Sequence, residues 1–214
     1  MKKIVLFLTI IILTITKFEC RAQSFDGGLT GGVVTSQIQG DGYGGFHQLG
    51  CTAGFFGRIP GKGHRSWQVE LKYSLYGAHS GADEVALGMN PMSIRLHYIE
   101  LPVMFRYNLS GIRISGRPLD FITLEAGISN DFLMRGTQSA DFEDGVDNPS
   151  WLFYSVTANV GLHFDINERL GINVRSMNNV TPCRIRPGVP IFSWFHYYNI
   201  ALQATVVYTI IHAH

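Results

Sequence analysis

The chain is poor in charged residues. Asp, Glu, Lys and Arg make up 15% of its 214 residues, against about 25% in ordinary globular proteins. The two signs nearly balance, with 17 Lys and Arg against 16 Asp and Glu. The shortage of charge excludes a disordered, solvated chain, and the balance of signs excludes a nucleic-acid binder that depends on many phosphate contacts.

Cysteine is also scarce, with three in the whole sequence. This number is too small for a disulfide framework. Cys20 lies in the N-terminal segment described next, so only Cys51 and Cys183 could pair in an oxidising compartment. The alternative is an apolar Cys51 on a strand face and an unrelated Cys183 in a loop, and the sequence leaves both possibilities open.

The N-terminus carries the pattern of a cleaved export signal. Lys2 and Lys3 precede the apolar run 4–15, which is too short to span a bilayer comfortably. Cys20 and Ala22 fit a small-residue cleavage site, so we expect residues 1–22 to be removed. Loss of four cations and one anion leaves 13 positive and 15 negative residues, a net charge of −2, in a mature domain of residues 23–214. A lipoprotein with Cys20 as its lipidated N-terminus is disfavoured by the charged and aromatic residues before that cysteine.

The mature chain alternates apolar and polar residues with period two. In 67–75, for example, every second residue is apolar, as expected of a strand with one apolar face. Turn residues divide the chain into eight such runs: 25–38, 47–59, 66–78, 94–108, 119–135, 151–166, 169–178 and 195–211. Several exceed ten residues, whereas soluble strands average about five or six and membrane-crossing strands need about nine to eleven.

The connections between the runs alternate in length. Those at 60–65, 109–118 and 167–168 are mostly short, and those at 39–46, 79–93, 136–150 and 179–194 are longer. Short turns at one end and long loops at the other are typical of outer-membrane barrels. The pattern predicts an all-β fold, an eight-stranded antiparallel up-and-down transmembrane β-barrel, with both termini on the periplasmic side.

Three features favour a membrane barrel over a soluble one. The apolar faces are nearly unbroken, mid-strand charge is confined to the opposite face, and aromatic residues gather near run ends. Those aromatic residues are Trp67, Tyr107, Trp151, Tyr154, Trp194, Phe195, Tyr197, Tyr198 and Tyr208. If the apolar face meets lipid, the charges line the lumen.

The predicted lumen contains five cations and five anions: Arg58, Lys72, Arg106, Arg169 and Arg175 with Glu70, Glu100, Glu125, Asp131 and Asp165. Because an isolated buried charge is costly, the balance predicts a paired network filling a narrow interior. A general diffusion pore is therefore not expected.

One run interrupts the alternation. Ile94, Leu96 and Tyr98 share one parity, but the apolar residues from Ile99 to Tyr107 share the other. We infer a bulge near 98–100, which the following Pro102 supports because it cannot donate a ladder hydrogen bond.

Candidate chemical sites are weak. Three serine and histidine pairs could serve a lipid-active rim enzyme: His79 with Ser80, Ser93 with His97, and Ser193 with His196. None has a diagnostic spacing. Two further groups could attract a metal, His212 with His214, and the loop acids Asp141, Glu143, Asp144 and Asp147, but neither matches a known ligand pattern. We expect no catalytic residues, no metal and no cofactor.

Glycines cluster in the first strand, at Gly27, Gly28, Gly31 and Gly32. They ease barrel curvature or form a seam at which a partner docks. In the second case, a large side chain at Gly31 should disrupt a complex without unfolding the barrel.

The segment Tyr98-Ile99-Glu100-Leu101-Pro102-Val103, with 27–32 and 67–74, resembles PorT-type outer-membrane β-barrel proteins of the Bacteroidota. The resemblance covers essentially the whole mature chain. It implies an outer-membrane location, and some members of the family are implicated in assembling the type IX secretion system. The chain departs from many outer-membrane proteins in continuing for six residues after Tyr208, the aromatic residue near its last strand end.

We therefore expect a non-catalytic outer-membrane barrel, a structural or accessory component of an envelope assembly. Its expected partners are outer-membrane lipids, lipopolysaccharide and a larger envelope or secretion protein, and no nucleic acid. The alternatives are a lipid-modifying barrel enzyme and a small-ligand binder at the barrel mouth, which should show a pocket between loops 79–93 and 179–194.

Overall fold

The computed structural model describes residues 25–114, 117–140, 146–147, 151–190 and 193–211. Within this part of the chain there are nine strands and one short helix. They are β1 Asp26–Gln39, β2 Gln48–Pro60, β3 Arg65–His79, α1 Ala82–Ala86, β4 Met92–Ile114, β5 Arg117–Ala140, β6 Val146–Asp147, β7 Tyr154–Asp165, β8 Leu170–Asn179 and β9 Tyr198–Ile211. The predicted signal peptide lies outside the described residues and stays a prediction.

Eight of these strands form a closed antiparallel barrel. Neighbours in sequence pair with one another, β4 pairs with β5, β5 pairs with β7, and β1 pairs with β9 to close the ring. The two-residue strand β6 pairs with β5 and lies in the long connection that follows β5. The prediction of an eight-stranded up-and-down barrel is confirmed.

The alternation in sequence becomes an alternation of faces. On β7, Val160 is 64% exposed on the outer wall and Asn159 is 1% exposed on the inner one. Because side chains on a strand alternate between the two faces, the strands present apolar side chains outward and, over most of their length, polar side chains to the lumen. Among the described residues, no helix is both long and apolar enough to cross a membrane.

Glycines on the inner face allow neighbouring strands to approach closely. A Cβ on Gly32 would lie 2.1 Å from the carbonyl oxygen of Ala204 on β9, and one on Gly28 would lie 2.0 Å from that of Tyr208. These two glycines therefore serve the tight curvature at the β1–β9 closure. Gly31 faces outward, and the nearest atom to its hypothetical Cβ is the Thr52 carbonyl oxygen at 3.7 Å.

The predicted bulge is only partly correct. The β4–β5 register does shift between His97 and Tyr98, but the extra residue, Met134, is on β5. Strand β4 keeps one parity throughout, so the expected change of face is wrong. Ile94 and Leu96 point into the lumen together with Glu100, because the loop-side end of this lumen is apolar.

Two connections also differ from expectation. The predicted turn at 109–118 is largely strand, since β4 and β5 extend as a hairpin in which Arg113 pairs with Pro118. The predicted loop 79–93 contains the helix α1. Neither difference changes the order of strands in the barrel.

Candidate functional site

The middle of the lumen is occupied by an ionic network centred on Arg175. Its guanidinium donates two parallel hydrogen bonds to Glu70, of 3.0 and 2.9 Å, and a third of 2.9 Å to Glu125. Arg106 reaches the other oxygen of Glu125 with its Nε at 2.8 Å and donates to Gln68 at 2.6 Å. All five side chains are almost completely buried. Their charges are therefore compensated by ion pairs and hydrogen bonds with one another and not by water.

Lys72 extends this network toward the loops. Its Nζ lies 3.2 Å from Glu100 and 3.8 Å from Glu70, and it donates a 3.0 Å hydrogen bond to Gln203 on β9. The hydroxyl of Tyr76 donates a hydrogen bond to Glu100. Strands β3, β4 and β9 are thereby joined through the interior.

Asp131 is the fourth buried carboxylate of this region. It accepts hydrogen bonds from the hydroxyls of Ser129 and Thr157. The region thus holds four carboxylates and three cations among the described residues: Glu70, Glu100, Glu125 and Asp131 with Lys72, Arg106 and Arg175. Asp131 is the carboxylate that depends on neutral hydroxyl donors instead of a direct ion pair.

The other predicted lumen residues lie at the turn end. Nη1 of Arg58 is 3.8 Å from Oδ2 of Asp26. Oδ1 of Asp165 is 3.1 Å from Nε2 of His163, and the Asp165 side chain is partly exposed. Arg169 is exposed in the turn between β7 and β8, so its assignment to the lumen is wrong. The alternation does not continue through a tight turn, and this is why the sequence misplaced it.

The loop-side end of the lumen is filled by apolar side chains, which sequence reasoning missed. The cluster comprises Val34, Ile38, Tyr76, Ala78, Ile94, Leu96, Tyr98, Trp151, Met177, Cys183 and Ala201. Tyr76 reaches across the barrel to Met177, with its hydroxyl 3.4 Å from the sulfur. The available signal was the inward parity of Ile94, Leu96 and Tyr98, which we attributed to a bulge.

The chain between β8 and β9 covers this cluster. The guanidinium of Arg184 lies over the rings of both Trp151 and Tyr197, at 5.3 and 5.4 Å from their centroids. Trp151 is therefore part of the mouth and not of an interfacial girdle.

Cys183 is buried beneath this covering chain, and burial raises the pKa of its thiol to about 12. Cys51 is exposed on the outer wall, and both cysteines are free, so they do not pair.

Loop 40–47 is connected by hydrogen bonds to the segment around α1. Glu84 accepts hydrogen bonds from the backbone N–H of Gly44 at 2.7 Å and of Gly81 at 2.8 Å. These two donors lower the pKa of the Glu84 carboxyl. Tyr43 adds a 2.8 Å hydrogen bond to the carbonyl oxygen of Asn90, so the two long loops support each other over the rim.

A groove of about 580 Å³ runs along the outer wall. Its apolar lining comes from neighbouring strands and includes Phe105, Tyr107, Leu124, Ala126, Val160 and Leu202. It opens toward the lipid-facing side and not between loops 79–93 and 179–194, where a ligand binder should have its pocket. Inside the lumen, the void beside Thr30, Lys72 and Gln203 has no room for a water molecule.

The histidines of two candidate catalytic pairs are engaged in structural contacts, and in the third pair Ser80 Oγ accepts a 3.1 Å hydrogen bond from the N–H of Met92. Nδ1 of His97 is 2.6 Å from the Tyr73 hydroxyl. Both ring nitrogens of His196 meet backbone groups, the N–H of Arg186 at 3.2 Å and the carbonyl oxygen of Pro190 at 3.0 Å. Neither histidine is arranged as a base beside its serine.

Metal ligands do not gather in the described part of the chain, where no three His, Cys, Asp or Glu residues are grouped around a possible ion. The candidates His212, His214, Asp141, Glu143 and Asp144 lie outside the described residues. Asp147 is in β6, and its side chain is not described.

Comparison with solved structures returns several bacterial proteins that this chain resembles at low sequence identity. One is Ail, the attachment invasion locus protein of Yersinia pestis, with 11% identity and a TM-score of 0.49 over 87% of this chain and 99% of that chain. Another is Neisserial surface protein A, with 9% identity and a TM-score of 0.49 over 86% and 97% of the two chains. OprG from Pseudomonas aeruginosa has 10% identity and a TM-score of 0.37 over 87% and 94%. A search of the curated proteins found no match.

The family comparison is decisive for identity. Residues 21–183, well over half of the chain, match the family model described as an outer membrane protein beta-barrel domain. That match agrees with the closed barrel, its apolar outer wall and its buried ionic interior. The chain therefore belongs to the outer membrane protein beta-barrel domain family and is a protein of the outer membrane.

Proposed function

We propose that the protein is a non-catalytic, non-conducting barrel that serves as a structural or accessory component of a larger envelope assembly. The filled lumen carries this proposal. Arg175 and Glu70 join opposite walls at mid-height, and the apolar cluster occupies the end next to the loops. A barrel without an internal path works through its outer wall and its loops.

Planar bilayer recording tests the absence of conduction. The purified protein should show no steady channel, because an ion would have to displace buried, mutually paired charges. The folding control is a denatured and refolded sample, which should still run on a gel as a compact barrel whose migration changes on heating. A steady conductance on the nanosiemens scale would contradict the proposal.

Co-purification tests the accessory role. A tagged copy expressed in the source cells and extracted in mild detergent should bring down a larger envelope protein, identified by mass spectrometry. Replacing Gly31 by Phe should reduce that recovery, since Gly31 lies on the open outer wall. Leu29→Phe, two residues away on the same face, is the matched control and should retain the partner. Recovery of no envelope protein above the level found with an unrelated barrel would count against the role.

Participation in type IX secretion is the more specific form of this proposal. It is supported by the PorT-like segment 98–103, whose residues alternate between the lumen and the lipid-facing wall of β4. Recovery of a secretion component in the same experiment would support it. A different envelope partner would leave the accessory role intact and exclude the secretion form.

A further inference from the structure

The groove on the outer wall crosses five neighbouring strands, from β4 to β9. Along one row of ladder partners its side chains are Phe105, Ala126, Val160, Ser176 and Leu202. The two small residues, Ala126 and Ser176, form the floor, and their larger neighbours form the walls. Four steps between strands of about 4.8 Å give a length of about 19 Å, comparable to an extended fatty acyl chain.

The groove climbs obliquely through the membrane because the strands are staggered around the barrel. Following ladder partners once around the ring, from Asn108 on β4 through β5 and onward, leads to Tyr98, ten residues nearer the loops on the same strand. The four steps from β4 to β9 are half of this circuit and climb about five residues. At a strand tilt of about 40° this is about 13 Å of membrane height, about half of the apolar band of such barrels.

The lower end of the groove lies at the turn-side edge of the apolar band. Tyr107 lines this end on β4, and its ladder partner on β3 is Arg65, which is exposed on the same outward face. From Tyr107 to Ile99 the outward side chains of β4 are apolar or aromatic. Tyr107 and Arg65 therefore mark the boundary between hydrocarbon and headgroups on the side of the short turns, which is the periplasmic leaflet.

Two basic side chains, Arg65 and Lys62, lie beside this end of the groove, and we call them the turn cations. Both are exposed, and neither forms an ion pair within the described part of the chain. Residues 61–79 and 92–114 contain two acidic residues, Glu70 and Glu100, and both are buried in the lumen. The turn cations therefore present positive charge to the headgroup region without a carboxylate on their own strands.

The turn that carries Lys62 is fixed against β4. The backbone N–H of Asn108 donates a 2.8 Å hydrogen bond to the carbonyl oxygen of His64, and Nδ1 of His64 is 2.8 Å from the hydroxyl of Ser110. The His64 ring also meets Tyr107 edge-on, with 6.2 Å between the ring centroids. The charge and the groove entrance are thus held next to each other by direct contacts.

We propose that the groove and the turn cations together bind one anionic glycerophospholipid of the periplasmic leaflet. The phosphate accepts hydrogen bonds from Arg65 and Lys62, and one acyl chain follows the groove past Ala126 to Ser176. The position of the groove within the hydrocarbon requires an apolar occupant. The turn cations favour an anionic headgroup over a zwitterionic one, whose ammonium group they repel. This site is independent of the proposed accessory role.

The first experiment measures retention of palmitoyl-oleoyl phosphatidylglycerol by the purified full-length barrel, using native mass spectrometry from phosphatidylcholine nanodiscs with graded phosphatidylglycerol content. The double variant Lys62→Gln/Arg65→Gln should bind this lipid at least about tenfold more weakly than the parent. Arg95→Gln removes a cation from the outward face of β4 at the loop end and should bind within about twofold of the parent. Asp120→Asn, at an exposed carboxylate on β5, should also stay within about twofold.

The second experiment fills the groove and leaves the turn cations unchanged. Ala126→Leu/Ser176→Leu should weaken retention of phosphatidylglycerol at least about fivefold, because the acyl chain loses its contact with the floor. Ala53→Leu adds the same bulk to the exposed outer wall of β2, away from the groove, and should retain the lipid like the parent. Equal retention by the filled and parent barrels would overturn the assignment of the groove.

Further arms identify the ligand class. Phosphatidylethanolamine should bind the parent more weakly than phosphatidylglycerol, and equal binding would overturn the assignment to an anionic lipid. Millimolar glycerol phosphate should not displace phosphatidylglycerol, and displacement would assign the turn cations to free anions. Equal retention by Lys62→Gln/Arg65→Gln and the parent, or an equal loss in Arg95→Gln, would overturn the proposal. Gel migration that changes on heating verifies that every variant is folded.

Discussion

Arg175 on β8 and Glu70 on β3 meet across the full width of the barrel. Their strands are four places apart in a ring of eight, so they are diametrically opposed, and the two side chains form paired hydrogen bonds of 3.0 and 2.9 Å. The contact is possible because an eight-stranded barrel is just wide enough for side chains to fill. One bidentate pair therefore braces opposite walls and closes the middle of the lumen.

Replacing Arg175 by Met should destabilise the barrel strongly. Glu70 and Glu125 would lose their shared cation while remaining buried, and loss of one partner from a buried pair costs about 3–5 kcal/mol. Urea titration in detergent, followed by heat-modifiable gel migration, measures the change in the free energy of unfolding. Arg113→Met at an exposed position should change it by less than about 0.5 kcal/mol. Equal effects of the two variants would show that the network is not a structural brace.

Replacing Asp131 by Asn should be neutral or stabilising, by up to about 1 kcal/mol. The amide can donate to Thr157, whose own hydroxyl proton then goes to Asn179 at 2.9 Å. The change also removes the carboxylate that has no direct ion pair. Glu100→Gln is the matched comparison and should be destabilising, because Glu100 is ion-paired to Lys72 at 3.2 Å. The same urea titration ranks the two variants, and the reverse order would refute this account of the lumen charges.

Substitution of two adjacent glycines, Gly31 and Gly32, should have different effects on folding of the barrel. Gly32→Ala places a Cβ within 2.1 Å of the Ala204 carbonyl oxygen at the β1–β9 closure, so the barrel should lose its folded, heat-resistant form. Gly31→Ala meets only ordinary contacts on the outer wall and should fold normally. Refolding yields into detergent, compared by gel migration, check both. A Gly32→Ala barrel that folds as well as the parent would contradict the close strand approach.

The strands could be predicted from the sequence because lipid on one face and the lumen on the other require apolar and polar side chains to alternate along almost the whole strand. Val160 and Asn159 are placed on their faces by parity alone. Seven of the ten proposed lumen charges gather in one ionic region, six of them in direct ion pairs and Asp131 beside hydroxyl donors. Pairing partners across the ring, such as Arg175 with Glu70, depend on stagger and closure, which alternation does not specify.

The loop-side half could not be predicted in the same way. Ile94 and Leu96 are inward apolar residues whose burial depends on the covering chain around Arg184 and Trp151. An apolar residue on the lumen face looks like a register error until that cover is known. The bulge predicted near 98–100 lies one step away, between His97 and Tyr98, and its extra residue is on β5 instead of β4, because only the partner strand shows which side holds that residue.

Cys51 and Cys183 should differ in reactivity. Cys51 is exposed on the lipid-facing wall, whereas Cys183 is buried and burial raises its thiol pKa to about 12, so almost none is thiolate at neutral pH. A membrane-permeant maleimide should label Cys51 in the folded barrel and Cys183 only after heating in SDS. Mass spectrometry of the digested protein distinguishes the two sites. A gel shift on adding a reductant to the unlabelled protein would instead reveal a disulfide.

The outward orientation of the apolar residues is tested most directly by spin labels at Leu71, Leu124 and Val160, one per variant, in a background without other cysteines. In reconstituted vesicles the account predicts strong relaxation of each label by oxygen, which concentrates in hydrocarbon, and weak relaxation by a water-soluble nickel complex. Labels shielded from both relaxants would mean that these side chains form a dry interior, and this result would contradict a barrel facing lipid.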